Sequence, residues 1–393
     1  MRSLIARYGA LFRHAGAARF AALSLVMRMP LGTVGLATLL HLRELSGSIA
    51  FAGSVVGAQL VATAVAAPLV GRLVDRRGPR GVLLVTGTVA PIALATMLAA
   101  DRLGLSRPAI FATAIAFGAF APPITVLVRT LWRMRLEEGP VRQTAFALDA
   151  VILELAYTLG PLAIALAVGL GSTTAAMAVA VAVTSTAVPL LFASGALSWW
   201  KPQPRGERHW LGPLSAKPLL VVYAATFALT MTFGALEVGY PTFGRAAGAD
   251  SWGPVLIAVN STGSAVAGLL YGGLTIRTPL KRLLAVLMGA MAVPIALHLP
   301  VDSPWLLAPF AFAAGALIAP AMTTVSLLIS TLAPARYATE AFTWSSTAIV
   351  TGIGVGMAIA GTLVERHGPN GAFAFAVATA LAGAAVALLL RRR

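Results

Sequence analysis

Long apolar stretches separated by short polar connectors run through the whole chain of 393 residues. Each stretch supplies the roughly 20 mostly apolar residues that a helix needs to cross a bilayer. Twelve such stretches are found, at residues 18–41, 48–70, 82–100, 109–128, 144–168, 174–197, 219–241, 253–275, 283–299, 305–331, 341–363 and 371–390. The pattern therefore predicts an all-α membrane protein with twelve transmembrane helices.

The composition excludes a soluble protein. Only 11% of the residues are charged and 58% are hydrophobic, whereas an average soluble domain is about 25% charged. The absence of cysteine excludes disulfide and thiol chemistry. Since the sequence contains no phosphate-binding loop, zinc-protease motif or nucleophile elbow, it indicates no enzyme, no cofactor and no metal site.

The net charge of +16 is explained by topology rather than by nucleic-acid binding. With the N-terminus in the cytoplasm, 23 of the 29 basic residues fall in connectors on the cytoplasmic side, five fall outside, and Arg28 lies within a span. This positive-inside pattern predicts a multi-pass protein of the cell (inner, or cytoplasmic) membrane with both termini in the cytoplasm. The first apolar run is longer than 20 residues and no small-residue cleavage site follows it, so we interpret it as a span rather than a signal peptide.

The two halves of the chain resemble each other. Residues 64–83 align with residues 265–284 at an offset of 201, and the same register places Gln59 on Asn260. Two further stretches match at offsets of 197 and 196, pairing Gly118 and Pro123 with Gly315 and Pro320, and Ala145, Phe146 and Gly160 with Ala341, Phe342 and Gly356. The repeat predicts a six-helix bundle over residues 1–197, a cytoplasmic linker over 198–217 and a second six-helix bundle over 218–393, with a substrate site between the bundles.

The connector after the second stretch reads GRLVDRRGPR over residues 71–80. It resembles the signature loop of the major facilitator superfamily, G-x-L-x-D-R-x-G-R-K. The matching positions are Gly71, Leu73, Asp75, Arg76, Gly78 and Arg80. The resemblance implies a twelve-helix transporter that works by alternating access, in which this loop holds the outward-facing state together. A weaker copy over residues 272–281 has Ile276 at the position of the aspartate.

The residue types in this loop are those that a gate requires. Gly71 permits close approach of two helices, and Gly78 permits a tight reversal of the chain. Asp75 can accept hydrogen bonds at the N-terminus of a neighbouring helix, where the dipole favours an anion. Arg76 and Arg80 can pair with acidic side chains at the cytoplasmic surface. The alternative is a positive-inside anchor with no gating role.

A second resemblance is partial. Residues 159–162, Leu-Gly-Pro-Leu, resemble the G-x-x-x-G-P-x-x-G-G element of drug–proton antiporters in the same superfamily. Ala156, Ile164 and Ala165 depart from that element, and Ala114 stands where the antiporter pattern has an arginine. A Gly-Pro kink that helps helices to pack is the alternative.

Four ionisable residues lie inside the predicted spans: Arg28, Asp149, Glu154 and Glu237. A charge at the bilayer centre costs about 2.5–3.5 kcal/mol on insertion scales. Arg28 and Glu154 lie at similar depth on helices that the resemblance makes neighbours, so we predict an ion pair between them, either structural or functional. Asp149 lies nearer the cytoplasmic end and is predicted to brace inner arginines.

Glu237 is the predicted proton carrier, with Glu154 as the second candidate. The resemblance places the seventh span at the central cavity, where burial penalises the charged form of a carboxyl group. The alternative is that Glu237 caps a helix or faces water in the outer leaflet. Further cavity residues are predicted to be Gln59, Asn260, Tyr157 and Trp344, although Gln59 and Asn260 can instead join helices.

We predict proton-coupled export of hydrophobic or amphipathic small molecules by a monomer, whose partners are the substrate, protons and the lipid bilayer. The first alternative is uptake of a small metabolite by proton symport. A membrane-embedded sensor or enzyme built on a transporter fold is the second alternative.

Overall fold

Helices form almost all of the chain in the computed structural model, which describes residues 2–202, 211–248 and 252–392. The α-helices found there are α1 (Arg2–Phe12), α2 (Ala17–Ser46), α3 (Ile49–Arg77), α4 (Pro79–Leu98), α5 (Arg107–Ala119), α6 (Ile124–Arg135), α7 (Pro140–Leu170), α8 (Thr173–Ala193), α9 (Lys217–Ala246), α10 (Trp252–Gly273), α11 (Leu280–Ala296), α12 (Pro304–Gly315), α13 (Ile318–Leu332), α14 (Ala338–His367) and α15 (Pro369–Leu388). Short 3₁₀ helices lie at Ala196–Trp199, Gly212–Ser215, Ala335–Tyr337 and Leu389–Arg392. Residues 203–210 of the predicted linker 198–217 lie outside the described residues.

The prediction of an all-α protein with twelve membrane-spanning helices is confirmed. Within the described ranges, 11 segments are long and apolar enough to cross a bilayer, two of them formed by the helix pairs α5 with α6 and α12 with α13. The remaining predicted span is α11, whose 17 residues extend about 26 Å. Helix α1 was not predicted because it is short and only weakly apolar.

Two helices continue past the apolar stretches that predicted them. The second stretch ends at residue 70, yet α3 continues to Arg77, and the fourth ends at residue 128, yet α6 continues to Arg135. The extensions place Asp75 and Arg129 on helices rather than in flexible connectors. Gly78, with a φ of 81°, makes the predicted tight reversal between α3 and α4 because glycine adopts positive φ without steric cost.

The fourth and tenth spans are each interrupted at a corresponding place. Helix α5 ends just before Pro122 and Pro123, which lack the N–H that a continuous helix needs. Helix α12 ends at Gly315 and α13 begins at Ile318. Each interruption follows a matched glycine of the repeat, Gly118 in the first case and Gly315 in the second.

Backbone contacts of these two glycines are equivalent. A Cβ atom added at Gly118 would lie 2.2 Å from the carbonyl oxygen of Gln59, and one added at Gly315 would lie 1.9 Å from that of Asn260. Both distances are far below van der Waals contact, so only glycine permits this approach. The pairs that the sequence repeat aligns therefore make the same helix–helix contact twice.

The same correspondence holds where the first half of the chain (α1–α8) meets the second half (α9–α15). A Cβ atom at Gly71 on α3 would lie 2.6 Å from Thr343 on α14, and one at Gly272 on α10 would lie 3.1 Å from Ala147 on α7. Ala147 and Thr343 are 196 residues apart, which is one of the offsets of the repeat. The pairs α3–α14 and α7–α10 thus form two equivalent interfaces, and the close approach predicted at Gly71 is confirmed.

Glycines on α14 provide a test of the close packing inside the second half. A Cβ atom at Gly356 would lie 2.4 Å from the carbonyl oxygen of Met231 on α9, whereas nothing lies within 4 Å of one at Gly354. We expect Gly356→Ala to lower the free energy of unfolding by about 1–3 kcal/mol through overpacking, and Gly354→Ala to leave it unchanged. Thermal unfolding of the detergent-purified protein, followed by tryptophan fluorescence, measures the difference. Equal melting temperatures of the two variants would contradict the close contact.

Candidate functional site

The two halves are joined at the end of the molecule that carries residues 71–80, which we call the inner end. Asp75 lies in the last turn of α3, is buried, and reaches the first turn of α14. Its Oδ1 atom accepts a hydrogen bond from the backbone N–H of Thr339 at 3.0 Å, and its Oδ2 atom accepts one from that of Glu340 at 2.8 Å. The first N–H groups of a helix have no partner within the helix, and its dipole favours an anion there. The predicted partner of Asp75, a helix N-terminus, is confirmed.

An ion pair reinforces this contact between α3 and α14. Arg72 donates to Oε1 of the buried Glu340 from Nη2 at 2.6 Å and from Nε at 3.1 Å. The sequence assigned such pairing to Arg76 and Arg80 instead, but both side chains are exposed and neither forms an ion pair within the part of the chain that the structure describes. The reason is helical periodicity, because residues three apart share a face, so Arg72 and Asp75 point together at α14.

At the inner end, neutral side chains form the equivalent interface between α7 and α10. Gln143 donates from Nε2 to the carbonyl oxygens of Tyr271 at 2.9 Å and Leu274 at 3.1 Å. Thr144 donates to the carbonyl oxygen of Gly272 at 2.6 Å. At the repeat offset of 196, Gln143 and Thr144 align with Thr339 and Glu340, the two residues of α14 whose N–H groups donate to Asp75. One interface is therefore ionic and the other is made of neutral hydrogen bonds.

Helix α1 covers this neutral interface from the inner end. Arg7 donates from Nη2 to the hydroxyl of Thr275 at 2.6 Å, and Tyr8 donates to the carbonyl oxygen of Leu269 at 3.1 Å. The Tyr8 hydroxyl also lies beside Gly272, 2.6 Å from where its Cβ atom would be. An N-terminal helix of the first half is therefore bonded to α10 of the second half.

Two arginines of the first half also reach the second half at the inner end. Arg133 donates to the carbonyl oxygen of Ala333 at 2.5 Å, and Arg142 donates to the hydroxyl of Ser330 at 3.1 Å. Many hydrogen bonds and an ion pair between the halves are thus concentrated at the inner end. The molecule is closed at its inner end.

A cavity of about 480 Å³ lies between the halves on the outer side of this closure. Helix α7 supplies one wall, helices α9, α10, α13 and α14 supply the others, and Arg129 of α6 also contributes. The lining is mostly apolar and includes Leu153, Phe233, Ile257, Ile318, Met322 and Ile353. Its polar members are Arg129, Glu154, Tyr157, Thr158, Glu237, Tyr240, Asn260 and Ser261.

Most of the predicted proton-coupling and cavity residues lie here, but Arg28, Gln59 and Trp344 do not. Glu154, Glu237, Tyr157 and Asn260 line the cavity. Gln59 is buried where α3 packs on α5. Trp344 is half-buried against the main hydrophobic core, and its Nε1 atom has no hydrogen-bond partner in the described part of the structure. Tyr240 and Ser261 were missed because each lies within an apolar stretch and carries no charge.

The two cavity acids face each other across the halves. Glu154 stands on α7, and its carboxyl group lies within reach of the Ser261 hydroxyl on α10. Glu237 stands on α9 and is close enough to Glu154 for their charges to interact. Neither acid forms an ion pair within the described ranges. The cavity therefore contains two carboxyl groups without a bonded cation.

The predicted ion pair between Arg28 and Glu154 is wrong: the partner of Arg28 is Asp149. Arg28 donates from Nη2 to Asp149 Oδ1, and Arg129 donates from Nε to Asp149 Oδ2 at 2.9 Å. All three side chains are buried. Asp149 and Glu154 are five residues apart and so point to different sides of α7, which counting residues for depth alone does not reveal. The predicted bracing of an inner arginine by Asp149 is confirmed for Arg129.

The triad leaves one positive charge beside the cavity, because two guanidinium groups share one carboxylate. Arg129 lines the cavity floor, and its terminal nitrogens make no hydrogen bond within the described residues. The sequence placed Arg129 in a connector because the apolar stretch ends one residue earlier. Only the helical continuation to Arg135 brings it under the cavity.

Comparison with protein families gives one match. The family model for the Major Facilitator Superfamily matches residues 20–293. No curated protein matches the sequence.

Several solved structures share the fold over nearly their whole length. A bacterial homologue of the iron transporter ferroportin, in an outward-facing state, is 10% identical with a TM-score of 0.78, covering 96% of this chain and 99% of that one. The human organic anion transporter MFSD10 (TETRAN) is 15% identical with a TM-score of 0.72, covering 95% and 99%. The E. coli fucose:proton symporter FucP is 10% identical with a TM-score of 0.73, covering 96% and 98%. At these identities the similarity establishes the fold alone.

The unequal charges of the triad predict unequal effects of removing its members. Asp149→Asn leaves Arg28 and Arg129 buried without a counter-charge, and we expect it to lower the free energy of unfolding by about 3–5 kcal/mol. Arg28→Met leaves the Arg129–Asp149 pair intact and costs less. Thermal unfolding in detergent ranks the variants, with Glu154→Gln as the control that leaves the triad untouched. A larger loss for Arg28→Met than for Asp149→Asn would refute this charge balance.

The inner closure predicts that the Arg72 side chain stabilises the contact between α3 and α14 and that the Arg76 side chain does not. Arg72→Ala removes the partner of buried Glu340 and weakens the closed inner end, so the cavity spends less time open to the outer side. Since the chain has no cysteine, a single Ala258→Cys in the cavity wall can report access to a membrane-impermeant maleimide applied from the outer side. We expect slower labelling with Arg72→Ala and unchanged labelling with Arg76→Ala. Equal labelling in both variants would show that the ion pair does not stabilise the closure.

Proposed function

We propose proton-coupled export of hydrophobic or amphipathic small molecules as the function, from the premise that the chain belongs to the major facilitator superfamily. The chain is a membrane transporter and not an enzyme, because its family and the solved structures with its fold are transporters. The direction of transport, the substrate class and the coupling ion are the proposed part.

The observation that carries the proposal is the pair Glu154 and Glu237 in one mostly apolar cavity between the halves. A carboxylate without a counter-ion in such surroundings is costly, so either a proton or a cationic group of a substrate will neutralise it. Competition between the two for the same carboxyl groups couples their movement in opposite directions. Glu237 is the proposed proton carrier, and Glu154 is its partner.

Alternating access assigns a role to the inner closure. Opening toward the inner end requires that Asp75 leave the N-terminus of α14 and that Arg72 part from Glu340. We propose that the two bundles, residues 1–197 and 218–393, rock about the cavity while the linker 198–217 keeps them tethered. The proposal places the protein as a monomer in the cell membrane with its inner end and both termini in the cytoplasm.

Uptake of a small metabolite by proton symport is the second candidate. It is favoured by Arg129, which lines the cavity floor and whose terminal nitrogens make no hydrogen bond within the described residues, so that they can hold an anionic or strongly polar group. The mostly apolar walls favour export of lipophilic compounds. The proposal takes the substrate to be organic, and among the described residues no group of three or more His, Cys, Asp or Glu side chains that could hold a metal ion is found.

Transport by the purified protein in proteoliposomes tests the proposal. With an acidic lumen, we expect ethidium added outside to accumulate and the trapped pH indicator pyranine to report proton release. Glu237→Gln should reduce both signals to near the level of protein-free vesicles because the glutamine amide cannot exchange a proton. Glu365→Gln, a matched change of an exposed acid near the outer end of α14, should leave both unchanged.

Two outcomes of this experiment would count against export by proton exchange. In the first, neither ethidium nor an uncharged amphipath such as progesterone moves, and Glu237→Gln releases protons like the wild type. In the second, protons and solute move in the same direction, which supports symport instead.

A further inference from the structure

Three side chains form a hydrogen-bonded chain that runs from the second-half wall of the cavity into the protein behind it. Asn260 on α10 donates from Nδ2 to the hydroxyl of Tyr240 on α9 at 3.3 Å. The Tyr240 hydroxyl lies 3.3 Å from Nε2 of His298, just beyond the end of α11. His298 is fully buried and Asn260 is 8% exposed. Asn260 and Tyr240 line the cavity, whereas His298 lies behind them.

The direction of each hydrogen bond follows from the atoms at the two ends. Nδ1 of His298 lies 2.7 Å from the carbonyl oxygen of Pro294, which can only accept, so Nδ1 carries the hydrogen. The ring is fully buried and packs against Tyr240 and Phe373, with centroids 5.7 Å and 5.0 Å away. It forms no ion pair within the described residues, and burial without a counter-charge favours the neutral ring. A neutral imidazole has one N–H, so Nε2 is an acceptor and Tyr240 must donate to it.

This direction fixes the orientation of the Asn260 amide. Because the Tyr240 hydrogen points to His298, the hydroxyl oxygen accepts from Asn260 Nδ2. The other hydrogen on Nδ2 goes to the carbonyl oxygen of Ala311 at 2.9 Å. Both amide hydrogens are therefore used in hydrogen bonds within the protein. Oδ1 of Asn260, a pure acceptor, makes no hydrogen bond within the described residues and belongs to a side chain that lines the cavity.

We infer that Asn260 Oδ1 is a specificity-determining contact that accepts a hydrogen bond from an N–H or O–H group of the substrate. His298 is a positioning residue, which acts on the substrate only through Tyr240 and Asn260. The inference rests on the proposed function for the cavity and deepens it. It selects lipophilic molecules that carry a hydrogen-bond donor, such as an amino, amide or hydroxyl group, over molecules of the same shape whose polar atoms only accept.

The matched residue of the first half shows that this arrangement is not a general consequence of the repeat. Gln59 packs its backbone on α5 as Asn260 packs on α12, but it does not line the cavity. Its Oε1 atom is buried and has no hydrogen-bond partner in the described part of the structure. The backbone and Nδ2 of Asn260 therefore serve to join helices. Its Oδ1 atom takes no part in that role and is the atom available to a substrate.

Equilibrium binding of two acridine dyes to the purified protein in nanodiscs tests the inference. Proflavine carries two amino groups, and acridine orange is the same ring with both amino groups fully methylated. The ring nitrogen is common to both dyes, so they differ in the N–H donors of the amino groups and in apolar surface. Fluorescence anisotropy without a proton gradient gives each affinity. We expect the wild type to bind proflavine about three- to tenfold more tightly than acridine orange, although acridine orange is the more apolar dye.

The variants separate the contact from the residues that position it. Asn260→Leu should abolish the preference, and Tyr240→Phe and His298→Phe should each reduce it by lowering the affinity for proflavine more than the affinity for acridine orange. Thr262→Val is the control, since Thr262 is an exposed residue of the same helix as Asn260 that does not line the cavity, and its hydroxyl donates to the carbonyl oxygen of Ala258. His298→Phe keeps the aromatic packing and serves where Asn260→Leu fails to fold.

The outcomes distinguish this inference from the proposed function. Equal affinities for the two dyes in the wild type, no binding of proflavine, or a preference that survives in Asn260→Leu would each overturn it. A preference that responds to His298→Phe supports it even where proteoliposomes show no proton exchange. In that case the coupling mechanism is wrong and the ligand class stands.

Discussion

Every ionisable group inside a bilayer has to be neutralised by a partner or placed beside a cavity, and this requirement separates structure from function here. Arg28 and Arg129 share the carboxylate of Asp149 in a buried triad. Glu154 and Glu237 have no such partner among the described residues and line the space between the halves. Removing a charge from the triad disturbs the fold. Removing one from the cavity is expected to change what the cavity can hold, and for this reason the proposed function rests on these two acids.

The two equivalent interfaces between the halves differ in a way that bears on movement. At α3–α14, a buried carboxylate caps a helix and an arginine pairs with a buried glutamate, and these contacts are costly to separate unless other polar groups or water replace them. At α7–α10, neutral side chains bond to carbonyl oxygens that water can satisfy at little cost. The repeat thus supplies the same helix geometry twice, while Ile276 in place of an aspartate makes the second interface the weaker of the two. Helix α1, bonded across it, compensates in part.

The sequence predicted the features that depend only on the order and spacing of residues along the chain. Twelve spans follow from apolar length, and the inner position of Asp75 follows from the connector pattern. The repeat aligned the glycines that make equivalent contacts, because a glycine can be read directly from the sequence. The partner of Arg28 was not predictable in this way, since residue counting gives depth and the pairing depends on the angle around α7. Arg72 was passed over because the signature loop leaves its position unspecified.

The chain of Asn260, Tyr240 and His298 was beyond sequence reasoning for a related reason. Its members come from two helices and the connector after a third, so their contact cannot be read from the sequence, although Asn260 alone was predicted to line the cavity. The direction of their hydrogen bonds depends on the Pro294 carbonyl oxygen, which requires the hydrogen on Nδ1 of His298. Tyr240 must then donate to Nε2, and Asn260 to Tyr240. The cavity then has donors at its floor on Arg129, carboxyl groups at the level of Glu154 and Glu237, and an acceptor on its second-half wall. A molecule that contacts all three kinds of group spans both halves. When the inner end opens, the distances between these groups change, and so does the affinity for that molecule.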